Sequence, residues 1–182
     1  MIVGCIHGNE QAGIAIADAV ASSDVTAQAD LWVIPDLNPD GVAANSRGNA
    51  HGVDLNRNFP YDWQPLGRPG STYYSGPHSL SEPESSIAAS LIRRLRPQLT
   101  IYYHQHLAVV DDSEGPAPLE RRYAQAVGLP LLALTDYPGS AAGWQNEILG
   151  PTTFVVELPA DSLSPSAVHR HLSALLGIIP VQ

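Results

Sequence analysis

Short apolar runs alternate with longer amphipathic stretches along this chain. Ile2-Val3-Gly4-Cys5-Ile6 is apolar throughout and reads as a buried strand. Gly8-Asn9 makes a turn, and residues 11–22, rich in Ala and Ile, have helical character. Residues 31–35, 99–103, 131–135 and 152–156 are further strand candidates. Ser81-Glu82-Pro83-Glu84 reads as a helix start, with Ser81 as cap and Glu84 completing a capping box. Pro83 is tolerable in a first turn, and the helix should stop near Leu95, before Pro97. Residues 119–127 and 165–176 predict two more helices. The alternation predicts an α/β fold. Residues 36–68 break it: they are polar and rich in Asn, Gly and Pro. A loop of that length in a compact domain is usually functional.

Composition narrows the class. A length of 182 residues predicts one domain over 1–182, and 44% apolar content makes it globular. A formal charge of −9 argues against a nucleic-acid partner, which would want a basic face. No apolar run approaches a membrane span, and no basic segment followed by an apolar stretch opens the chain. The single cysteine, Cys5, allows no intrachain disulfide and reads as packing. Together these features lead us to expect a cytoplasmic protein with no membrane partner.

The candidate chemistry sits at strand ends. His7 would close the first strand and Glu10 would lie in the first turn of the next helix. Open α/β sheets bind ligands in the crevice outside such ends. His104 follows another strand candidate, so two imidazoles and a carboxylate converge, which is the ligand set of a hydrolytic zinc site with its fourth position open to water. On the pair alone, His7 could equally be a turn residue and Glu10 a complement to the helix dipole. Glu157, after Thr153-Phe154-Val155-Val156, suits a general base. Arg47 and the cluster Asp54-Leu55-Asn56-Arg57-Asn58-Phe59 suit a grip on a carboxylate and stabilisation of an oxyanion. The Asn and Asp residues there could instead serve turns, as Asn45, Asn49 and Asn58 would.

These strings resemble the M14 zinc carboxypeptidase family and, within it, the bacterial murein peptide amidase A group. The resemblance rests on His7-Gly8-Asn9-Glu10, Asn38-Pro39-Asp40-Gly41, the run from Arg47 to Pro60, and Phe154-Val155-Val156-Glu157-Leu158-Pro159. Tyr74-Ser75-Gly76-Pro77, Ser81-Glu82-Pro83-Glu84 and Tyr103-His104-Gln105-His106-Leu107 point to the narrower group. It implies a three-layer sandwich around a mixed, mostly parallel sheet, here expected to lack the amino-terminal edge strands that members usually carry. It also implies one Zn2+ held by His7, Glu10 and His104, with Arg47 polarising the scissile carbonyl. Asn56 and Arg57 would hold the substrate carboxylate, Glu157 would be base and then acid, and Tyr137 would be the mobile tyrosine that closes over substrate. His106 competes with His104 as a ligand, and the resemblance favours His104. His51 reads as a loop residue; His78, His169 and His171 read as surface residues. Residues 139–143, which line the specificity pocket in relatives, contain no acid, which argues against a terminal Lys or Arg.

Three functions remain in play. The first is zinc-dependent hydrolysis of an amide in a short peptide with a free carboxylate, murein tripeptide at the γ-D-glutamyl–diaminopimelate bond. The second is an N-acyl amino acid hydrolase of the succinylglutamate desuccinylase or aspartoacylase kind. The third is a non-catalytic peptide-binding domain.

Overall fold

In the computed structural model, which describes residues 1–23, 29–112, 115–135 and 137–179, five strands form one sheet with helices on both faces. Strand β1 (Ile2–Val3) lies between β2 (Val33–Ile34) and β3 (Thr100–Asp111), parallel to both. Beyond β3 come β4 (Leu131–Leu132) and β5 (Thr153–Pro159). The α/β sandwich and mostly parallel sheet are as expected.

Alternation along β3 explains the layers, since successive strand side chains point to opposite faces. Ile101 and Tyr103 pack with Ile16, Tyr123 and Leu175 from helices α1 (Ala12–Ala21), α4 (Ala117–Val127) and α6 (Pro165–Ile178). Tyr102 packs on the other face with Leu55, Ile92 and Trp144, from the 3-10 turn Leu55–Arg57 and helices α3 (Pro83–Leu95) and α5 (Ala141–Leu149). Helix α1 turns inward through Gly13, Ile16, Ala17 and Val20, the spacing of one helical face. Burying Ile16 alone contributes roughly 1.5–3 kcal/mol.

Several local expectations are corrected. Strand β3 does not stop at Tyr103 but runs through His104 to Asp111. Its polar residues stay in the strand because β5 continues to pair with them, His104 opposite Glu157 and His106 opposite Pro159. After a bend at residues 106–108 the partners count down, Val109 to Glu157 and Val110 to Val156. Glu157 therefore lies inside β5, flanked by two runs of the same neighbouring strand. The polar stretch 36–68 is not all loop: it holds helix α2 (Pro39–Ala44), capped by the Asn38 side chain, and the 3-10 turn, capped by Asp54. Ser81 does not cap α3. Glu82 takes that position in extended conformation, and the Ser81 hydroxyl donates to Glu82 Oε1 while accepting from Asn58. Asn58 is fully buried and also donates to the Ser75 and His78 carbonyls, so it pins the loop rather than merely turning it. His171 is buried, not on the surface: its Nδ1 accepts from Tyr123, which in turn bonds Tyr103.

Candidate metal centre and substrate cleft

The turn after β1 sets the centre. The Glu10 amide donates to the His7 carbonyl, which folds both side chains to one side. Gly8 must be glycine here, because a Cβ would fall on the backbone of Gly41 and Val42 in α2. His104 arrives from β3. His7 Nδ1, Glu10 Oε2 and His104 Nδ1 then stand 2.9, 3.0 and 3.1 Å apart pairwise. Two ring nitrogens and a carboxylate oxygen so close repel one another unless a proton or a metal cation lies between them.

The surroundings decide which ring nitrogen faces that point. His7 Nε2 donates to Asp54 Oδ1 at 3.0 Å, so in the neutral ring Nδ1 keeps the lone pair. Asp54 is fully buried and also accepts from Arg47 Nε and from the Asn56 amide. Arg47 donates through Nη1 to Glu10 Oε1, and the Gln105 amide donates to Glu10 Oε2. Burial would lower the His7 pKa, but Asp54 and then Glu10 outweigh it and raise the ring above its ordinary value. Burial likewise opposes ionisation of Glu10, yet its bonds to His104 and His7 hold the carboxyl well below the carboxylate range. The set fits zinc: two imidazoles and a carboxylate, one ring oriented by a second carboxylate. Tetrahedral bonds to zinc imply ligand separations of roughly 3.3 Å, a few tenths beyond those seen.

A cleft of about 1040 Å³ opens beside this cluster. All eight residues singled out in the sequence line it: His7, Glu10, Arg47, Asn56, Arg57, His104, Tyr137 and Glu157. Glu157 is half-buried, and the Leu107 amide approaches its Oε2 at 3.5 Å. Asn56 accepts from the Ala141 amide through Oδ1, which leaves Nδ2 as its donor. Arg57 is 6% exposed and donates to the Asn56 carbonyl. Its guanidinium stacks over the Tyr137 ring at 4.4 Å and over Tyr73 at 5.7 Å. Tyr73 also faces Arg47 at 5.2 Å. Burial, and after it Arg47, lowers the Arg57 pKa, with Asp54 opposing. His106 is exposed and lines the cleft without joining the cluster.

A family model for zinc carboxypeptidases matches residues 1–110. The chain belongs to the zinc carboxypeptidase family. Among members of this family it is similar to murein peptide amidase A of Vibrio campbellii (strain ATCC BAA-1116), 32% identical over 98% of this chain and 76% of that protein. The crystal structure of murein-tripeptide amidase MpaA from Escherichia coli O157 matches with a TM-score of 0.80 and 29% identity, over 98% of this chain and 79% of that one. Carboxypeptidase A from Helicoverpa armigera shares the fold at a TM-score of 0.82 and 21% identity, over 97% of this chain and 59% of that one. As a zinc carboxypeptidase homologue the chain is a hydrolytic enzyme of the peptidase or amidase kind.

Sequence reasoning passed over four residues of the cleft and its frame. Asp54 was visible only as part of a string, although a buried acid is the usual second partner of a histidine that holds a metal, as His7 could. Gln105 ties β3 to its surroundings: its Oε1 accepts from the Ala12 amide, and its Nε2 donates to the Pro159 and Ala160 carbonyls. Tyr73 gave no signal in a Ser/Tyr-rich loop. Glu120 sits in a helix that looked ordinary, yet it lines the cleft with Asp111. The absence of acids in 139–143 therefore does not make the cleft neutral: beside Glu10 and Glu157, β3 and α4 contribute Asp111 and Glu120.

Proposed function

We propose that this chain is a zinc-dependent amidase that releases the carboxyl-terminal residue of a short peptide, with murein tripeptide, cut at the γ-D-glutamyl–diaminopimelate bond, as its substrate. One observation carries the reading. A single cleft holds the three-atom cluster of His7, Glu10 and His104, a carboxylate one strand away, and an amide–guanidinium pair suited to a free carboxylate.

One zinc ion bound by these residues would supply Lewis acidity, polarising the scissile carbonyl and lowering the pKa of a water to about 7. Glu157, the register partner of His104, takes the proton from the attacking water and returns it to the leaving amine. Arg47 is held by Asp54 and Glu10 through Nε and Nη1, so Nη2 is the donor that meets the oxyanion. Asn56 Nδ2 and the Arg57 fork fix the terminal carboxylate and so place the scissile bond. Tyr137, 50% exposed and stacked on Arg57, closes over the bound residue. The murein substrate is supported by the relatives that carry that name, and it implies a cytoplasmic role in peptidoglycan recycling.

The test is a panel of murein tripeptide, ordinary peptides with free carboxyl termini, N-acetyl-aspartate and N-succinyl-glutamate, each with and without chelator. Tripeptide should be cut fastest and only without chelator. Turnover of the acyl amino acids with none of the tripeptide would overturn the reading in favour of an acyl amino acid hydrolase.

A further inference from the structure

Tyr73 is 55% exposed, so burial gives its ring little reason to sit where it does. What it faces are two cations. Its ring lies over the Arg47 guanidinium at 5.2 Å and over that of Arg57 at 5.7 Å, while Tyr137 covers Arg57 at 4.4 Å. The two like charges repel: after burial, and against Asp54, Arg47 lowers the Arg57 pKa. The electron-rich face of an aromatic ring attracts both. The backbone beside Tyr73 is fixed. The Asp54 amide donates to the Tyr74 carbonyl at 2.8 Å, the Tyr74 amide donates to the Ser71 carbonyl, and the Ser75 amide donates to the Leu66 carbonyl. Buried Ser75 donates through Oγ to the Gln64 carbonyl and accepts from the Leu66 amide. Gly67, at a φ of +65°, lets this loop close, since a Cβ there would fall on Ser71 Oγ. Residues 66–75 are thus closed on themselves and tied to the segment that carries Asp54, Asn56 and Arg57.

We infer that Tyr73 is a positioning residue: its ring covers the faces of both guanidiniums, so that their N–H edges alone are offered to the cleft, Arg57 to a substrate carboxylate and Arg47 to the oxyanion. The inference rests on the amidase reading and adds a residue to it. A free arginine side chain samples many rotamers, and a ring stacked on it removes part of that freedom before substrate arrives. Arg47 is already held by Asp54 and Glu10, whereas Arg57 has the Asn56 carbonyl and the Tyr137 ring. In that reading Tyr137 moves, so Tyr73 is the stationary aromatic at Arg57, and its removal should be felt mainly there.

The test uses zinc-loaded wild type, Tyr73→Ala, Tyr73→Phe, Arg57→Ala and the double variant Tyr73→Ala with Arg57→Ala. The probes are murein tripeptide and its analogue in which the carboxyl beside the scissile nitrogen is a carboxamide. Binding of both to chelator-treated protein, where no turnover occurs, is measured by calorimetry alongside. A cation–π contact predicts that Tyr73→Ala raises KM and weakens binding of the free acid by about threefold to thirtyfold, with kcat within about threefold and carboxamide binding within about twofold of wild type. Tyr73→Phe keeps the ring and should recover most of the loss. In the Arg57→Ala background, removing Tyr73 as well should change free-acid binding by less than about twofold. Unchanged free-acid binding in Tyr73→Ala, an equal loss for acid and carboxamide, a loss that phenylalanine does not recover, or a full second loss in the Arg57→Ala background overturns the inference. If zinc-loaded wild type cuts neither peptide, the amidase reading fails, and the calorimetric cycle alone still decides the role of Tyr73.

Discussion

Asp54→Asn tests the centre through a residue outside the ligand set. Asp54 Oδ1 takes His7 Nε2 and the Asn56 amide, both at 3.0 Å, while Oδ2 takes Arg47 Nε at 2.8 Å. Burial opposes its ionisation, but His7 and then Arg47 hold the carboxyl well below its ordinary range. Asparagine keeps the shape and offers one acceptor where three donors converge. With its Nδ2 toward Arg47, one donor faces another donor. Flipped, the conflict moves to His7 and the Asn56 amide. At least one charge-assisted bond is lost, worth about 1.5–3 kcal/mol, and the remaining buried cation brings the cost to about 3 kcal/mol. Loss of the carboxylate behind a ligating imidazole weakens metal affinity by roughly 10–100-fold.

The assay pairs urea unfolding of chelator-treated protein with zinc competition against a chromophoric chelator. Because the Asp54 pKa is depressed on folding, its contribution is present above the unfolded value near 3.9 and fades as pH falls through the folded value. The stability gap between wild type and Asp54→Asn should therefore hold from about pH 5 to 8 and close in stronger acid. Zinc affinity within about twofold of wild type would refute the claim that Asp54 orients His7, whatever the stability loss.

Glu157→Gln should keep zinc and lose about 10²–10⁴ in kcat, read by metal analysis and turnover on one preparation; a smaller loss places the base elsewhere. Arg57→Ala should weaken transition-state binding by about 2–3 kcal/mol for free-acid peptides and far less for carboxamide peptides, read as a ratio of kcat/KM values. Zinc affinity should fall as pH drops through the raised His7 pKa, since the ring must lose its proton to ligate; a flat competition titration counts against this. Burial, and less strongly Arg170, lowers His171 to about 4, so the folded ring stays neutral where the unfolded ring gains a proton, and stability falls between about pH 6.5 and 4. His171→Gln, which can still accept from Tyr123, should remove up to roughly 3 kcal/mol of that slope in urea midpoints.

What could be read in the sequence follows a physical divide. The candidate ligand pair His7 and Glu10 lies within one turn, so local geometry sufficed to bring the two together. His104 and Glu157 were legible because each follows an apolar run that marks a strand. The extent of those strands was not. His104-Gln105-His106 has no strand pattern, and only pairing with β5 carries β3 on to Asp111. The same holds for α3: the capping box was a sound local expectation, and Asn58, 23 residues away, took the Ser81 hydroxyl for another purpose. His171 looked solvated among polar neighbours, yet the helical stripe turned it onto Tyr123. Acids on β3 and α4 reach the cleft only once the sheet is assembled, so no local pattern could report them.

The charge layout of the cleft joins these observations. The protein is acidic overall, at −9, and all nine of its basic side chains are arginines. Two of them, Arg47 and Arg57, stand in the cleft, both against the Tyr73 ring. Glu120 and Asp111 stand in the same cleft on other elements, α4 and β3. A carboxylate is drawn to the arginines and a cation to the acids, so the field orients a zwitterionic residue before any contact forms. That layout depends on the sheet, because β3 carries both His104 and Asp111 and α4 packs against β3.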